Sequence, residues 1–152
     1  MKTNGKGVFF VMIGSVIVLV VLYFLIKSII KQVGKTETEK ANEDEVDNVN
    51  NELSDSCSGN YTFDDSAYLT KANTLHDALD GCGTDDSEID SVFQSLTTRC
   101  DVLAVISKYG VREKSCWWGS GQYNLRGALQ SDNVLERVNG ILSENGVGYQ
   151  FA

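Results

Sequence analysis

The sequence predicts an all-α protein: one transmembrane helix near the N-terminus, then an acidic linker and a small five-helix bundle. Three observations lead there. Residues 8–26 carry no charge, apolar residues recur at helical spacing in five stretches between Tyr68 and Leu142, and the 152-residue chain has no proline. The expected organisation is a tail over 1–7, a transmembrane helix over 8–30, a linker over 31–66, the helical domain over 67–146 and a short tail over 147–152.

The first element reads VFFVMIGSVIVLVVLYFLI from Val8 to Ile26, interrupted only by Gly14 and Ser15. As a helix it covers roughly 29 Å, close to the thickness of a bilayer's hydrocarbon core. Val8, Phe9, Phe10, Ile13, Ile17, Leu19, Leu22, Phe24 and Ile26 are the expected lipid-facing anchor. Lys2 and Lys6 on one side, with Lys27 and Lys31 on the other, can reach the headgroups. A secretory signal peptide begins in the same manner, but this apolar run is longer than a signal core and KSIIKQVGK offers no small-x-small cleavage site. Lysines at 27, 31, 35 and 40 outnumber those at 2 and 6, so the positive-inside rule leans towards a C-terminal domain on the cytoplasmic side. The cysteine usage described below leans the other way.

Charge divides the chain sharply. Residues 1–35 hold five lysines and no acid, whereas residues 36–66 hold ten acids against Lys40 alone. The net charge of −8 argues against nucleic acid as a partner, because phosphate binding needs clustered Lys and Arg. The acidic stretch has few apolar side chains to offset its ordering entropy and is read as a spacer, whose first part can continue as a solvated helical rod.

Four cysteines follow the span: Cys57, Cys82, Cys100 and Cys116. Their even number suits two disulfides, with free buried thiols as the open alternative. Cys100 with Cys116 is the preferred pairing because the two bracket one short helix. A zinc site is disfavoured, since no CxxC pair exists and His76 is the only histidine. No metal or cofactor is expected.

The bundle's stripes are Tyr68, Leu69, Ala72, Leu75 and Leu79; Ile89, Val92, Phe93 and Leu96; Val102, Val105, Ile106 and Tyr109; Leu125 and Leu129; and Val134, Leu135, Val138, Ile141 and Leu142. Gly81, Gly110 and Gly146 stand where helix C-caps favour positive φ, and Thr84, Asp85 and Asp86 offer an N-cap and negative charge to the next helix.

The segment LHDALDGCGTDDSEIDSVFQSLTTRCDVLAVISKYG, with YNLRGALQSDNVLERVNGIL after it, resembles a single annexin-type repeat, through the G-x-G-T-D corner of Gly81, Gly83, Thr84 and Asp85. Small proteins of bacteriophages that infect Bacteroidetes are similar in carrying solitary repeats of this kind, and some such phages enclose a membrane within the capsid. The resemblance implies a helical repeat fold and a virion context. In annexins the corner supplies carbonyl oxygens for Ca²⁺, and an acid about forty residues downstream completes the site. Here no acid occurs from Lys114 to Gln130, so calcium binding is not carried over. Asp85 and Asp86 are read as helix-capping residues instead.

Trp117 and Trp118, with Tyr149 and Phe151 of the tail, are the candidate partner contacts, Trp and Tyr offering large area with a polar edge, and the alternative for the two tryptophans is to plug the end of the bundle, one packed and one exposed. The tail either folds back on the bundle or docks on a neighbour. His76 beside Asp77 lacks a nucleophile partner. Glu88 and Glu113 read as solvated helix charges, the alternative being the carboxylates of a peptidoglycan hydrolase. The expected function is non-enzymatic: a single-pass structural protein whose partners are a lipid bilayer and neighbouring capsid or envelope proteins, located in a virion membrane or host envelope. A calcium-dependent membrane binder is the remaining alternative.

Overall fold

The computed structural model describes Tyr23, residues 37–117 and residues 119–152. Apart from Tyr23, the expected membrane span and all its anchor residues lie outside the described residues, as does Trp118. Among the described residues no helix is long and apolar enough to cross a membrane.

Residues Glu37–Ala152 form one compact unit that is mainly helical. Helix α1 spans Glu37–Ser56, α2 Asp65–Leu79, α3 Asp86–Gln94 and α4 Arg99–Tyr109. A hairpin of β1 (Arg112–Cys116) and β2 (Gly119–Tyr123) follows, then α5 (Leu125–Ser131) and α6 (Leu135–Glu144). Helices α2 to α6 match the five apolar stripes. Each of the first four has a side-chain cap at its start: Asp64 for α2, Asp85 for α3, Thr98 for α4 and Asn124 for α5. Gly81, Gly110 and Gly146 have φ of 92°, 61° and 71°, the left-handed backbone that their places between elements require.

Helix α4 is the centre of the domain, with Val102 to Ile106 and Tyr109 all buried. Helices α1 and α2 pack against it, while α3 bridges α2 and α6. Leu69, placed in the first stripe by its spacing, points outward instead.

Three features depart from the sequence expectation. First, the stretch read as a spacer contributes α1, so the folded domain begins at Glu37 rather than at residue 67. Its inner face buries Asn42 and Val49 and is completed by polar pairs. Glu45 accepts hydrogen bonds from Asn124 Nδ2 and Arg126 Nε, each at 2.9 Å, Glu52 pairs with Arg99 at 2.6 Å, and Asn42 Nδ2 donates to the Gln122 carbonyl at 2.9 Å. These partners lie 47 to 81 residues downstream, so composition within the acidic stretch conceals them.

Second, the fold is not wholly α. Strands β1 and β2 pair antiparallel from Arg112 opposite Tyr123 to Cys116 opposite Gly119. A Cβ at Gly121 would lie 2.8 Å from the Tyr123 ring, so the glycine leaves room for that side chain to fold across its own strand.

Third, the disulfides are Cys57–Cys100 and Cys82–Cys116, with Cα separations of 5.6 and 5.1 Å. The expected Cys100–Cys116 link is absent because α4 stands between those residues. Eleven helical residues hold their ends roughly 16 Å apart, beyond the ~7 Å reach of a disulfide, and the hairpin carries Cys116 to the corner instead.

The tail folds back. Val147 and Phe151 are buried, the Phe151 ring meets Phe93 edge-on at 6.1 Å, and the Asn139 side chain bonds both backbone groups of Phe151 at 2.8 Å.

Candidate functional site

The G-C-G-T-D-D corner begins where α2 ends. Asp80 turns its Oδ1 onto two backbone amides, Gly81 N and Ser115 N, both at 2.9 Å, and so joins the corner to the hairpin. The Ser115 amide is the main reason the Asp80 carboxyl is held below its ordinary range. Asp85 N then bonds the Ala78 carbonyl at 3.0 Å, closing the loop back onto α2. The Asp85 carboxylate accepts from Ser87 Oγ at 2.7 Å and from the Ser87 and Glu88 amides, which holds its pKa down, the Ser87 hydroxyl contributing most. Asp86 pairs with Arg137 at 2.7 Å. The corner acids therefore cap α3 and tie it to α6.

Between this loop and the hairpin lies an open cleft of about 470 Å³. Gly81 to Thr84 make one wall, while Lys114, Cys116 and Tyr123 make the other. At its base Asp132 forms an ion pair with Lys114, whose ammonium also donates to Ser131 Oγ. The carboxylate that borders the cleft opposite the corner is thus already matched by a cation of the same chain. Asp80, Ser115, Lys114 and Asp132 escape sequence reasoning. The only local signal is an aspartate directly before Gly81, a common helix-terminating pattern.

The Cys82–Cys116 disulfide joins the two sides of the cleft, and the Trp117 amide donates to Cys82 Sγ at 3.3 Å. Trp117 follows at the hairpin tip with 83 % of its surface exposed. The structure therefore brings Gly81, Gly83, Thr84, Asp85, Cys82, Cys116 and Trp117 into one region.

It does not place the tail's aromatic residues there. Phe151 is 4 % exposed and belongs to the core, which corrects its expected role as a partner contact. Tyr149 is half-buried, 5.2 Å from the Phe151 ring and 5.3 Å from the Arg99 guanidinium, and burial pushes its hydroxyl up to about 12. Glu88 and Glu113 are exposed, on α3 and β1, and neither lines the cleft. His76 is half-buried, with its ring edge-on to Tyr109 at 6.1 Å.

A second polar centre is structural. Asp101 is fully buried at the start of α4 and accepts from Tyr68 Oη at 2.5 Å, Thr62 Oγ1 at 2.8 Å, and the amides of Thr62 and Thr98 at 3.0 Å. Burial alone raises its pKa, but the hydrogen bonds, Tyr68's foremost, outweigh it and bring it down to about 2. Together with Cys57–Cys100 this carboxylate fastens the 57–64 loop to α4.

Compared with models of protein families, with curated proteins and with solved structures, the chain matches none.

Proposed function

We propose that this chain is a non-enzymatic, membrane-anchored structural module, with residues 8–26 holding lipid and the domain from Glu37 contacting a protein layer. Tethering of this kind raises the local concentration of membrane and partner for each other. One observation carries the contact half of the reading: Trp117 presents a large, 83 % exposed ring on a tip held by a disulfide and by the Asp80–Ser115 bond. An exposed aromatic side chain on a restrained loop binds with little further ordering cost. The uncharged stretch supports the anchoring half. The annexin-like corner supports a phage particle with an internal membrane as the setting.

Three measurements test this. The full chain, reconstituted in liposomes, should float with lipid after an alkaline carbonate wash, whereas residues 37–152 alone should not. Extraction of the full chain by carbonate would defeat the anchor. A photo-crosslinking residue at position 117, in membranes or particles from the native source, should yield one protein adduct that the same probe at exposed Leu69 does not. Equal adducts from both positions would defeat the contact. Release of soluble fragments from purified cell walls, abolished by Glu88→Gln or Glu113→Gln, would make the protein a hydrolase instead.

A further inference from the structure

The two disulfides differ in exposure, chiefly through Cys57 and Cys82. Cys57 is 1 % exposed and Cys100, half-buried, packs against the core cluster. Cys82 is exposed, Cys116 is half-buried, and both line the open cleft. Thiol–disulfide exchange requires a thiolate to reach a sulfur, so access separates the two bonds.

The attachments of the hairpin show what such exchange would release. Its base is held independently of the disulfide: Arg112 Nε donates to the Tyr109 carbonyl at 2.8 Å, Arg112 Nη1 to Asn73 at 2.9 Å, and the Gln122 carbonyl accepts from Asn42. Near the tip, the links to the corner among the described residues include the Asp80–Ser115 hydrogen bond, the Trp117 amide to Cys82 Sγ, and the disulfide itself. Of these three, the disulfide is the only covalent one, and the Trp117 contact depends on the position of Cys82.

We propose that Cys82–Cys116 is a reducible clasp, opened by a dithiol reductant while Cys57–Cys100 stays closed. A thiolate of the reductant attacks Cys116 Sγ, forming a mixed disulfide as the Cys82–Cys116 bond breaks. Cys82 leaves as a thiolate, stabilised by the Trp117 N–H already directed at its sulfur. The reductant's second thiol gives its proton to water and attacks its own sulfur in the mixed disulfide. Cys116 is released as a thiolate, which takes up the proton from water, and the reductant departs as a disulfide having supplied two electrons. Opening the clasp removes the covalent link between the corner and the tip that carries Trp117 and leaves the Asp80–Ser115 hydrogen bond to hold them, while Arg112 and Gln122 keep the base of the hairpin attached. The effect on partner contact rests on the reading of Trp117 given above; the order in which the two bonds open does not, so the two claims fail separately.

The full chain in detergent micelles, exposed to a dithiothreitol series, blocked with N-ethylmaleimide and peptide-mapped by mass spectrometry, tests the clasp. Cys82 and Cys116 should label about tenfold faster than Cys57 and Cys100, with the helical circular dichroism unchanged. Simultaneous labelling of all four, or earlier labelling of Cys57 and Cys100, overturns the proposal. With glutathione as the thiol, the first adduct should map to Cys116; an adduct on Cys82 overturns the assigned leaving group. The double variant Cys82→Ser with Cys116→Ser should fold with unchanged helicity. Its failure to fold would make the bond a structural requirement and remove the switch.

Discussion

The replacement Asp101→Asn isolates the most demanding polar site in the domain. Asp101 Oδ1 accepts from the Thr62 amide and the Tyr68 hydroxyl, and Oδ2 accepts from Thr62 Oγ1 and the amides of Thr97 and Thr98. Asparagine keeps the shape and the first set but turns an NH₂ group towards the second, leaving two backbone donors facing a donor. A buried donor without an acceptor costs about 1–3 kcal/mol. Thr97 is exposed and water can reach it, so the whole change should cost about 2–4 kcal/mol at neutral pH. Denaturant unfolding of residues 37–152, followed by circular dichroism with both disulfides intact, measures this directly.

The sign of the pH dependence is fixed by the lowered pKa. The folded carboxyl titrates near 2, below its unfolded value, so its stabilisation is present above about pH 4 and is lost as pH falls towards 2. The shift corresponds to roughly 2 kcal/mol by linkage, and screening around the exposed threonines reduces it to about 1 kcal/mol. The gap between wild type and variant should therefore narrow by that amount between pH 5 and pH 2. A variant within about 0.5 kcal/mol of wild type at pH 7, or a gap that widens on acidification, would refute the argument.

Two other outcomes follow from the same packing. Phe151→Ala should destabilise the 37–152 fragment by about 3 kcal/mol, as expected for emptying a core aromatic site, and thermal unfolding would show it; no change would mean that the tail is detached. Burial pushes Tyr68, Tyr109 and Tyr149 up to about 12, so these three should ionise late in a spectrophotometric titration. Since these groups bind their protons more tightly when folded, their contribution is intact below pH 10 and is lost as pH rises through 12; three late ionisations without loss of stability would contradict this.

The helices α2 to α6 were legible because each carries an apolar stripe at a period of 3.6; α2 to α5 also have a polar cap before them, whereas α6 follows Val134 without one. Tyr68, Ala72, Leu75 and Leu79 lie on one face wherever the helix docks. Helix α1 lacked that mark, since Glu45 and Glu52 count as core-facing only once Arg126 and Arg99 are set opposite them. The hairpin was hidden too. REKSC and GSGQY show no alternation of apolar residues, and the strands are held at the corner by Cys82 and Asp80, more than thirty residues earlier. Of the candidate site, Gly81, Gly83, Thr84, Asp85 and Trp117 were visible as residues, but their meeting around one cleft was not.

By itself, then, the sequence determined the apolar stripes of the five bundle helices, the cap of α3 at Asp85, the charge division of the chain and the uncharged stretch near its start. All of these are set by neighbours a few residues apart, where covalent geometry and local hydrogen bonding already limit the choices. Tertiary structure alone decided which cysteines pair, that an acidic segment docks as a helix, and that Phe151 is buried while Trp117 is exposed. These depend on groups far apart in the chain, and their free energies arise only when the whole domain has closed.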